Sequence, residues 1–491
     1  MTSSPRGDGP TAEPGPDSGP ALTGAPDWSG SRTQRRTLLS GLALLGASAL
    51  TGTALTGTAW PVAPARSRAA SHAHVGQRRP VARDSRRGGT GCLGRELRGV
   101  WIASVRNTDW PVRPGLPAEQ VRADFVAQVD RARALGLNAV FVQVRPTADA
   151  FWPSAFEPWS QWLTGVQGQD PGWDPLAFMV RAAHERGLAF HAWFNPYRVS
   201  IQPDPALLTA DHPARRNPHW TVRYGGQLCY NPGVPEARRF VQQAMMDAVL
   251  RYDLDGVHFD DYFYPYPVAG QDFPDDEAFA AHGTGFTDRA VWRRHNVDLL
   301  IREMRDQVRA ARPEAAFGVS PFGVWRNADS DPAGSRTEAF QSYDGQYADT
   351  RAWVRNGWLD YIAPQLYWAI GAAAADYATL ARWWAAQTSG TDTQLWIGQA
   401  AYRVGAPRQP AAWGDPAELS RQLTLNAQLP QIGGTILFSA GSVWADRIGG
   451  ISRLVADHWQ RPALAPVLPR LAGAAAPPRT PDRTCCPTRS T

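Results

Sequence analysis

Lysine is absent from the 491-residue sequence, so all 50 of its basic residues are arginines. A Walker-type phosphate loop and a Schiff-base nucleophile both require a lysine amine, and this absence excludes both classes of enzyme. Cysteine is scarce as well, with four residues at positions 92, 229, 485 and 486. Because their spacing suits neither a zinc site nor a disulfide framework, we predict that nothing structural depends on them.

The central part of the chain also lacks positive charge. The whole chain has a formal net charge of +5, but residues 1–94 contribute +6 and residues 461–491 contribute +4, which leaves −5 for residues 95–460. Domains that bind nucleic acids usually present a basic surface. We therefore expect no nucleic-acid partner.

Both ends of the chain lack a sustained apolar period and are rich in Gly, Pro, Ser, Thr or Arg. One run, residues 31–60, has the pair Arg35-Arg36 followed by many Ala, Gly and Leu, and resembles a twin-arginine export signal. The alternative is an anchoring helix, since a span needs about 20 apolar residues. The weak hydrophobicity and the small residues at 63–65, which suit cleavage, favour the signal.

These observations predict four regions. Residues 1–65 are a signal region, 66–94 a disordered linker, 95–460 the folded domain and 461–491 a disordered tail. We expect an exported protein, extracellular or associated with the cell wall, with no membrane span once the signal is cleaved.

Short apolar strands alternate with helical patterns through the folded domain. The predicted strands are residues 99–105, 138–144, 188–194, 256–259, 316–320, 359–366, 394–399 and 434–439. Eight such units predict a (β/α)8 TIM barrel with long βα loops. No glycine-rich loop follows the first strand, which disfavours a dinucleotide-binding fold. Residues 195–233 show no period, so we predict an irregular loop there.

The strand ends carry polar and aromatic side chains, and in a barrel the active site lies at the C-terminal ends of the strands. No histidines cluster there, so we predict neither a catalytic metal nor a cofactor. Flat tryptophan faces suit sugar rings and favour a carbohydrate groove. The predicted substrate-binding residues are Asn107, Asp109, Trp110, Arg145, Asn195, Arg198, His258, Gln365 and Trp368.

Asp260 and Asp261 are the strongest candidates for catalysis. They end the apolar strand 256–259 directly, and adjacent carboxylates are costly to bury without hydrogen bonds. A glycosidase ordinarily uses two separated carboxyls. No second acid of similar quality stands at another strand end, since Asp149 and Glu157 fall in a loop.

Six ordered blocks of sequence resemble the bacterial glycosyl-hydrolase-like family 10 proteins across about residues 95–460. The blocks are ELRGVWIASVRNTDWP (96–111), NAVFVQVRPTADAFWPS (138–154), FHAWFNPYR (190–198), DGVHFDDYFYP (255–265), GVSPFGVWRN (318–327) and DYIAPQLYW (360–368). The resemblance implies a barrel glycosidase of the cell envelope. It also implies a polysaccharide substrate, the glycan strands of peptidoglycan and particularly strands stripped of their peptides.

A substrate rich in N-acetyl groups suggests a mechanism similar to that of hexosaminidases in which the 2-acetamido group of the substrate is the nucleophile. One aspartate orients that amide, its neighbour protonates the leaving oxygen, and a tyrosine hydroxyl bonds to the cyclised intermediate. We assign these roles to Asp260, Asp261 and Tyr367 as a hypothesis. Chitinase-like barrels have Glu where this sequence has Tyr262, so a chitinase assignment is disfavoured.

Each of these residues also has a structural interpretation. His258 fits a hydrogen-bonded position inside the barrel better than a proton shuttle, and Asp109 fits an Asx turn. Arg145 and Arg198 could equally hold loop carboxylates or substrate groups, and Tyr367 could pack at a strand end. A different class of function, a non-catalytic glycan-binding barrel, also explains the missing second acid.

Overall fold

A computed structural model describes residues 94–471, and the predictions for the signal region, for most of the linker and for residues 472–491 lie outside the described residues. Eight parallel strands form a closed barrel in which each strand pairs with the next in sequence and β8 pairs with β1. The predicted (β/α)8 fold is confirmed. The strands are β1 (Leu97–Ile102), β2 (Ala139–Arg145), β3 (Ala189–Phe194), β4 (Gly256–Phe259), β5 (Ala316–Val319), β6 (Tyr361–Ile362), β7 (Gln394–Gln399) and β8 (Ile432–Leu437).

A helix follows each strand and packs outside the barrel, and local sequence signals set its ends. Asp174, for example, accepts a hydrogen bond from the backbone of Ala177 at 3.0 Å, Pro175 is the first helical residue, and Gly187 adopts a positive φ of 67° just after the end. The eight helices that surround the barrel are α1 (Ala118–Ala134), α2 (Pro175–His184), α3 (Pro235–Arg251), α4 (Arg289–Ala311), α5 (Thr350–Arg355), α6 (Tyr377–Thr388), α7 (Glu418–Asn426) and α8 (Gly450–His458), and shorter helices lie in the loops.

The interior of the barrel is filled by aromatic and imidazole rings, so the barrel is not a channel. His258 on β4 is fully buried there; it accepts from Trp101 Nε1 at 3.0 Å, and its other ring nitrogen lies 3.0 Å from the Tyr361 hydroxyl. Burial holds the pKa of His258 well below its usual value of 6.5. The prediction that His258 binds substrate is therefore wrong, because its polar atoms are occupied inside the barrel.

One loop prediction and one strand prediction need correction. Residues 195–233 are not irregular throughout, because they include a three-stranded antiparallel sheet of Arg198–Ser200, Thr221–Tyr224 and Gln227–Tyr230. The Gly225-Gly226 pair makes its hairpin turn, with φ values of 57° and 73° that suit glycine. Strand β6 is shorter than predicted, since Pro364 has no N–H to extend its ladder.

Residues 461–471, predicted as the start of a disordered tail, are folded against the barrel. The Leu464 N–H donates to the Gly94 carbonyl at 3.0 Å, and Arg470 Nε pairs with Asp360 Oδ1 at 2.8 Å. Backbone pairing and a nearly buried acid thus extend the ordered region beyond 460. Within residues 94–471, no helix is both long and apolar enough to cross a membrane.

Candidate active site

The C-terminal end of β4 presents two adjacent carboxylates at the mouth of the barrel. Asp260 is 6 % exposed and Asp261 is 4 % exposed. Two acids this deeply buried need their own hydrogen-bond donors, because removing a carboxylate from water is otherwise very costly. Each of them has such a set, contributed by different strands.

Asp260 is held by donors from β3 and from its own loop. Its Oδ2 accepts from Trp193 Nε1 at 3.1 Å and from the Asn195 side-chain amide, and its Oδ1 accepts from the Tyr262 N–H at 3.0 Å. Trp193 is the last but one residue of β3, and Asn195 follows its end. The parallel pairing of β3 with β4 therefore brings these donors beside Asp260.

A chain of buried amides behind Asn195 determines which way it points. The backbone N–H groups of Ser104 and Val105 donate to Gln143 Oε1 at 3.0 and 2.9 Å. Gln143 Nε2 donates to Asn195 Oδ1 at 2.6 Å, which leaves the Asn195 NH2 group to donate to Asp260. Because the N–H groups of Ser104 and Val105 can only donate, they fix which end of the Gln143 side-chain amide faces them, and Gln143 in turn fixes the orientation of the Asn195 amide. We refer to Gln143 and Asn195 as the amide relay.

Asp261 faces a different set of groups, from the far side of the mouth. Its Oδ1 accepts from Gln365 Nε2 at 3.1 Å, and its Oδ2 accepts from the Tyr266 hydroxyl and from Gln346 Nε2 at 3.3 Å. Gln346 Nε2 also donates to the Asp261 carbonyl at 2.7 Å. Gln365 follows β6, so the acid is fixed between two strands and the β5–α5 loop.

The two carboxyl groups influence each other electrostatically. Burial and the charge of Asp261 raise the pKa of Asp260 to about 6, while Arg198 and the N–H donors oppose the rise. Burial also raises the pKa of Asp261, against its bonds from Tyr266 and the two glutamines. Burial thus favours the protonated form of each acid, and two neighbouring acids of this kind can supply an acid and a base within one site.

Tyr367 lies close enough to the pair to feel the charges of both acids. Its ring stacks on Phe438 with centroids 5.9 Å apart and meets Tyr402 edge-on at 5.7 Å. Burial, followed by the charges of Tyr402, Asp261 and Asp260, raises the pKa of its hydroxyl well above 10. The hydroxyl is consequently protonated at neutral pH and is a donor in the site.

Aromatic rings continue from the pair along the mouth. Trp368, half-buried, packs edge-on against Phe322 at 5.5 Å, and Phe322 packs against Phe340 at 5.1 Å. Tyr266, which bonds Asp261, contacts Phe340 at 5.2 Å. These rings form a wall beside the acid, of the type that stacks on sugars.

Three predicted binding residues in the loop after β1 have structural tasks instead. Trp110 is fully buried against Phe125 and donates to the Val121 carbonyl, so it has no face for a ligand. Asn107 donates to two backbone carbonyls at 2.9 Å within the loops. Asp109 accepts from Ala103 N, Ser439 Oγ and Gly441 N, each at 2.8 Å, and so fastens the end of β1 to the end of β8.

Arg145 is also structural, which decides between its two interpretations. Its guanidinium makes a two-pronged ion pair with Glu157, with distances of 2.6 and 2.5 Å, and neither side chain is exposed. Asp149 is buried in the same loop and accepts from Ser160 Oγ at 2.8 Å. Neither loop acid is therefore free to act as the missing second carboxyl.

The sequence interpretation missed four groups that contact the pair or its support, namely Trp193, Tyr266, Gln346 and Gln143. Tyr266 was visible in principle within the aromatic run after Asp261, and Trp193 within a strand that precedes Asn195. Gln346 and Gln143 carry no local signal. Within the described part of the chain, no cluster of His, Cys, Asp and Glu is arranged to hold a metal ion.

Known proteins are similar to this chain in sequence and in structure. The family model described as glycosyl hydrolase-like 10 matches residues 96–415. Glycosyl hydrolase YngK of Bacillus subtilis is 49 % identical over 393 residues, which cover 79 % of this chain and 76 % of the relative. Glycosyl hydrolase DigH of Escherichia coli K12 is 42 % identical over 362 residues, with coverages of 70 % and 82 %. Among solved structures, the glycoside hydrolase domain of PgaB from Bordetella bronchiseptica is similar, with a TM-score of 0.48, 16 % identity, and coverages of 73 % and 97 %.

Proposed function

The chain belongs to the glycosyl hydrolase-like 10 family, and we propose that it is an exported glycoside hydrolase acting on the N-acetylated glycan strands of peptidoglycan. The observation that carries the proposal is the pair Asp260–Asp261, in which two buried acids at the barrel mouth are held by separate sets of donors. Such a pair provides an acid and a base within one site.

The geometry supports catalysis assisted by the substrate. Asp261, protonated, donates its proton to the glycosidic oxygen as the C1–O bond breaks, and the 2-acetamido oxygen attacks C1. Asp260, ionised, accepts the hydrogen bond of the amide N–H, and the Tyr367 hydroxyl donates to the acetamido oxygen. Water then attacks C1 as the bond from C1 to the acetamido oxygen breaks, and the water gives a proton to Asp261, which restores the acetamido group and the acid. Two displacements at C1 predict products with retained anomeric configuration.

The charge of Arg198 and the position of the aromatic wall support this division of roles. Each acid accepts three hydrogen bonds, which favour the charged form, and for Asp260 the charge of Arg198 adds to them. Asp261 adjoins the aromatic wall, where a sugar ring on the leaving-group side would stack. The second carboxyl of an ordinary glycosidase is replaced by the amide of the substrate.

The test compares wild-type protein with Asp261→Asn on N-acetylated glycan strands from which the peptides have been removed. We expect new reducing ends with the wild type and a loss of at least about 100-fold in D261N, because proton donation of this kind contributes about 10²–10⁴-fold. Asp272→Asn is the matched control, since Asp272 lies exposed in the same β4–α4 loop. Strands chemically freed of their N-acetyl groups must not be cleaved.

Two results would contradict the proposal. Cleavage of de-N-acetylated strands at an undiminished rate would exclude assistance by the acetamido group. Tight binding of the strands with no cleavage by the wild type would instead identify a glycan-binding barrel without catalytic activity. Export is tested separately, by fractionating cells that express the full chain or a variant in which both residues of the Arg35-Arg36 pair are replaced by Gln.

A further inference from the structure

Arg198 lies over the ring of Tyr262, beside the carboxylate pair, and makes no ion pair with an acid among residues 94–471. It follows β3, and its guanidinium carbon is 5.2 Å from the ring centroid of Tyr262. Tyr262 is the residue after Asp261, and its N–H bonds Asp260. Arg198 Nε donates to the Pro146 carbonyl at 2.9 Å, which fixes the plane of the guanidinium group. Its other N–H groups have no hydrogen-bond or ion-pair partner among residues 94–471.

Arg106, in the loop after β1, also acts on Tyr262 through its charge. It is exposed, makes no ion pair with any described residue, and has a positive φ of 54°, which is uncommon outside glycine. Its neighbours hold this backbone in place, since the Val105 N–H donates to Gln143 and the Asn107 amide donates to two carbonyls. Strained backbone maintained in this way is concentrated at functional sites.

The charges of both arginines act on Tyr262. Burial raises the pKa of the Tyr262 hydroxyl, and Arg198 and Arg106 oppose that rise. Arg145 offers a contrast within the same barrel mouth, because Glu157 and two backbone carbonyls accept from all three of its guanidinium nitrogens. The region 95–460 carries a formal charge of −5, so an anionic glycan would be repelled unless cations stood at the point of contact.

We propose that Arg198 and Arg106 form a subsite that binds a carboxylate on the sugar lying beside Asp260. A guanidinium fork matches a carboxylate in geometry as well as in charge. The inference rests on the proposed function and deepens it. The sugar beside the pair is an N-acetylated hexosamine that carries an ether-linked carboxylate, as in muramic acid, and not an unsubstituted N-acetylglucosamine.

The experiment measures binding by calorimetry in the full-length D261N variant, so that cleavage does not interfere. Three ligands are compared: a glycan tetrasaccharide with free muramic carboxylates, the same compound with each carboxylate converted to its neutral methylamide, and chitotetraose. We expect D261N to bind the free carboxylate about 10- to 100-fold more tightly than the methylamide, as one charge-assisted hydrogen-bonded contact provides. High salt should reduce this ratio.

Variants made in the D261N background show which arginine causes the preference for the free carboxylate. Arg198→Gln should bring the ratio of the two affinities, free carboxylate to methylamide, close to one, and Arg106→Gln should lower it in part. The affinity for the methylamide itself should change little. Arg223→Gln is the matched control, because Arg223 Nε likewise donates to a proline carbonyl, that of Pro203, at 3.0 Å. It should leave the ratio unchanged.

Equal affinity of D261N for the free carboxylate and the methylamide would overturn the subsite. So would an R198Q effect that weakens both ligands alike, since the arginine would then only shape the mouth. Wild-type cleavage of the tetrasaccharide is scored separately. If no ligand is cleaved, the hydrolase proposal fails while the binding ratio still decides whether the arginines recognise a carboxylate.

Discussion

The amide relay predicts how the acid limb of the pH–activity profile responds to mutation. Asn195→Leu removes an N–H donor from Asp260 while keeping a side chain of similar volume. A hydrogen bond to a charged group is worth about 1.5–3 kcal/mol, and one pKa unit corresponds to about 1.4 kcal/mol. The pKa of Asp260, about 6 in the wild type, should therefore rise to between about 7 and 8.

The higher pKa of Asp260 should shift the pH dependence of kcat/KM in one direction. Asp260 must be ionised to orient the acetamido group, so the acidic limb of kcat/KM reports its pKa in the free enzyme. We expect the limb to move to higher pH in N195L. Gln143→Met, which leaves Asn195 in place but frees its orientation, should move the limb in the same direction by less.

Two controls separate positioning from stability. Gln128→Met removes another buried amide, one that donates to the Asp109 carbonyl at 2.9 Å and has no link to Asp260. It should lower thermal stability without moving the limb. In the double variant N195L/Q143M the limb should lie where N195L alone places it, because Gln143 acts only through Asn195. Additive movement in this cycle would refute the relay.

Three further predictions concern other groups. Glu157→Gln leaves Arg145 charged and without its ion-pair partner in the interior. Chemical denaturation should show that it lowers the free energy of unfolding by about 3–5 kcal/mol. The control Glu185→Gln, at an exposed ion pair, should lower it by less than about 1 kcal/mol. Tyr266→Phe removes a donor that lowers the pKa of Asp261, so the basic limb of activity should move to higher pH while the fold, followed by circular dichroism, is retained. Burial raises the pKa of Asp149 to about 7, so its stabilising contribution is complete below about pH 4 and is lost as pH rises through 7; Asp149→Asn should flatten that fall, and an unchanged slope of stability against pH would contradict it.

The fold and the position of the carboxylate pair were predictable from sequence. Each apolar strand, helix cap and stop signal is a property of a few consecutive residues, as the signals around Pro175 show. Eight such units imply a barrel, and the rule for barrels then places Asp260 and Asp261 at the mouth. The Gly225-Gly226 hairpin was equally local and was overlooked within a segment assumed to be irregular.

The contents of the site depend on which strands become neighbours. Trp110 and Trp368 both follow strands and look equivalent in sequence, yet one is sealed behind Phe125 and the other remains at the mouth beside Phe322. Gln346 donates a hydrogen bond to Asp261, which is 85 residues away in the sequence, and no sequence pattern predicts this contact.

The sequence by itself thus determined the strands, the helices and the pair of acids at a strand end. Only the tertiary structure decided that Glu157 forms an ion pair with Arg145, that Gln143 orients Asn195, and that Arg198 has no acidic partner among the described residues. The physical reason is that backbone conformation follows from neighbours along the chain, whereas the state of a buried charge follows from whichever donors and charges the closed barrel brings within hydrogen-bond distance.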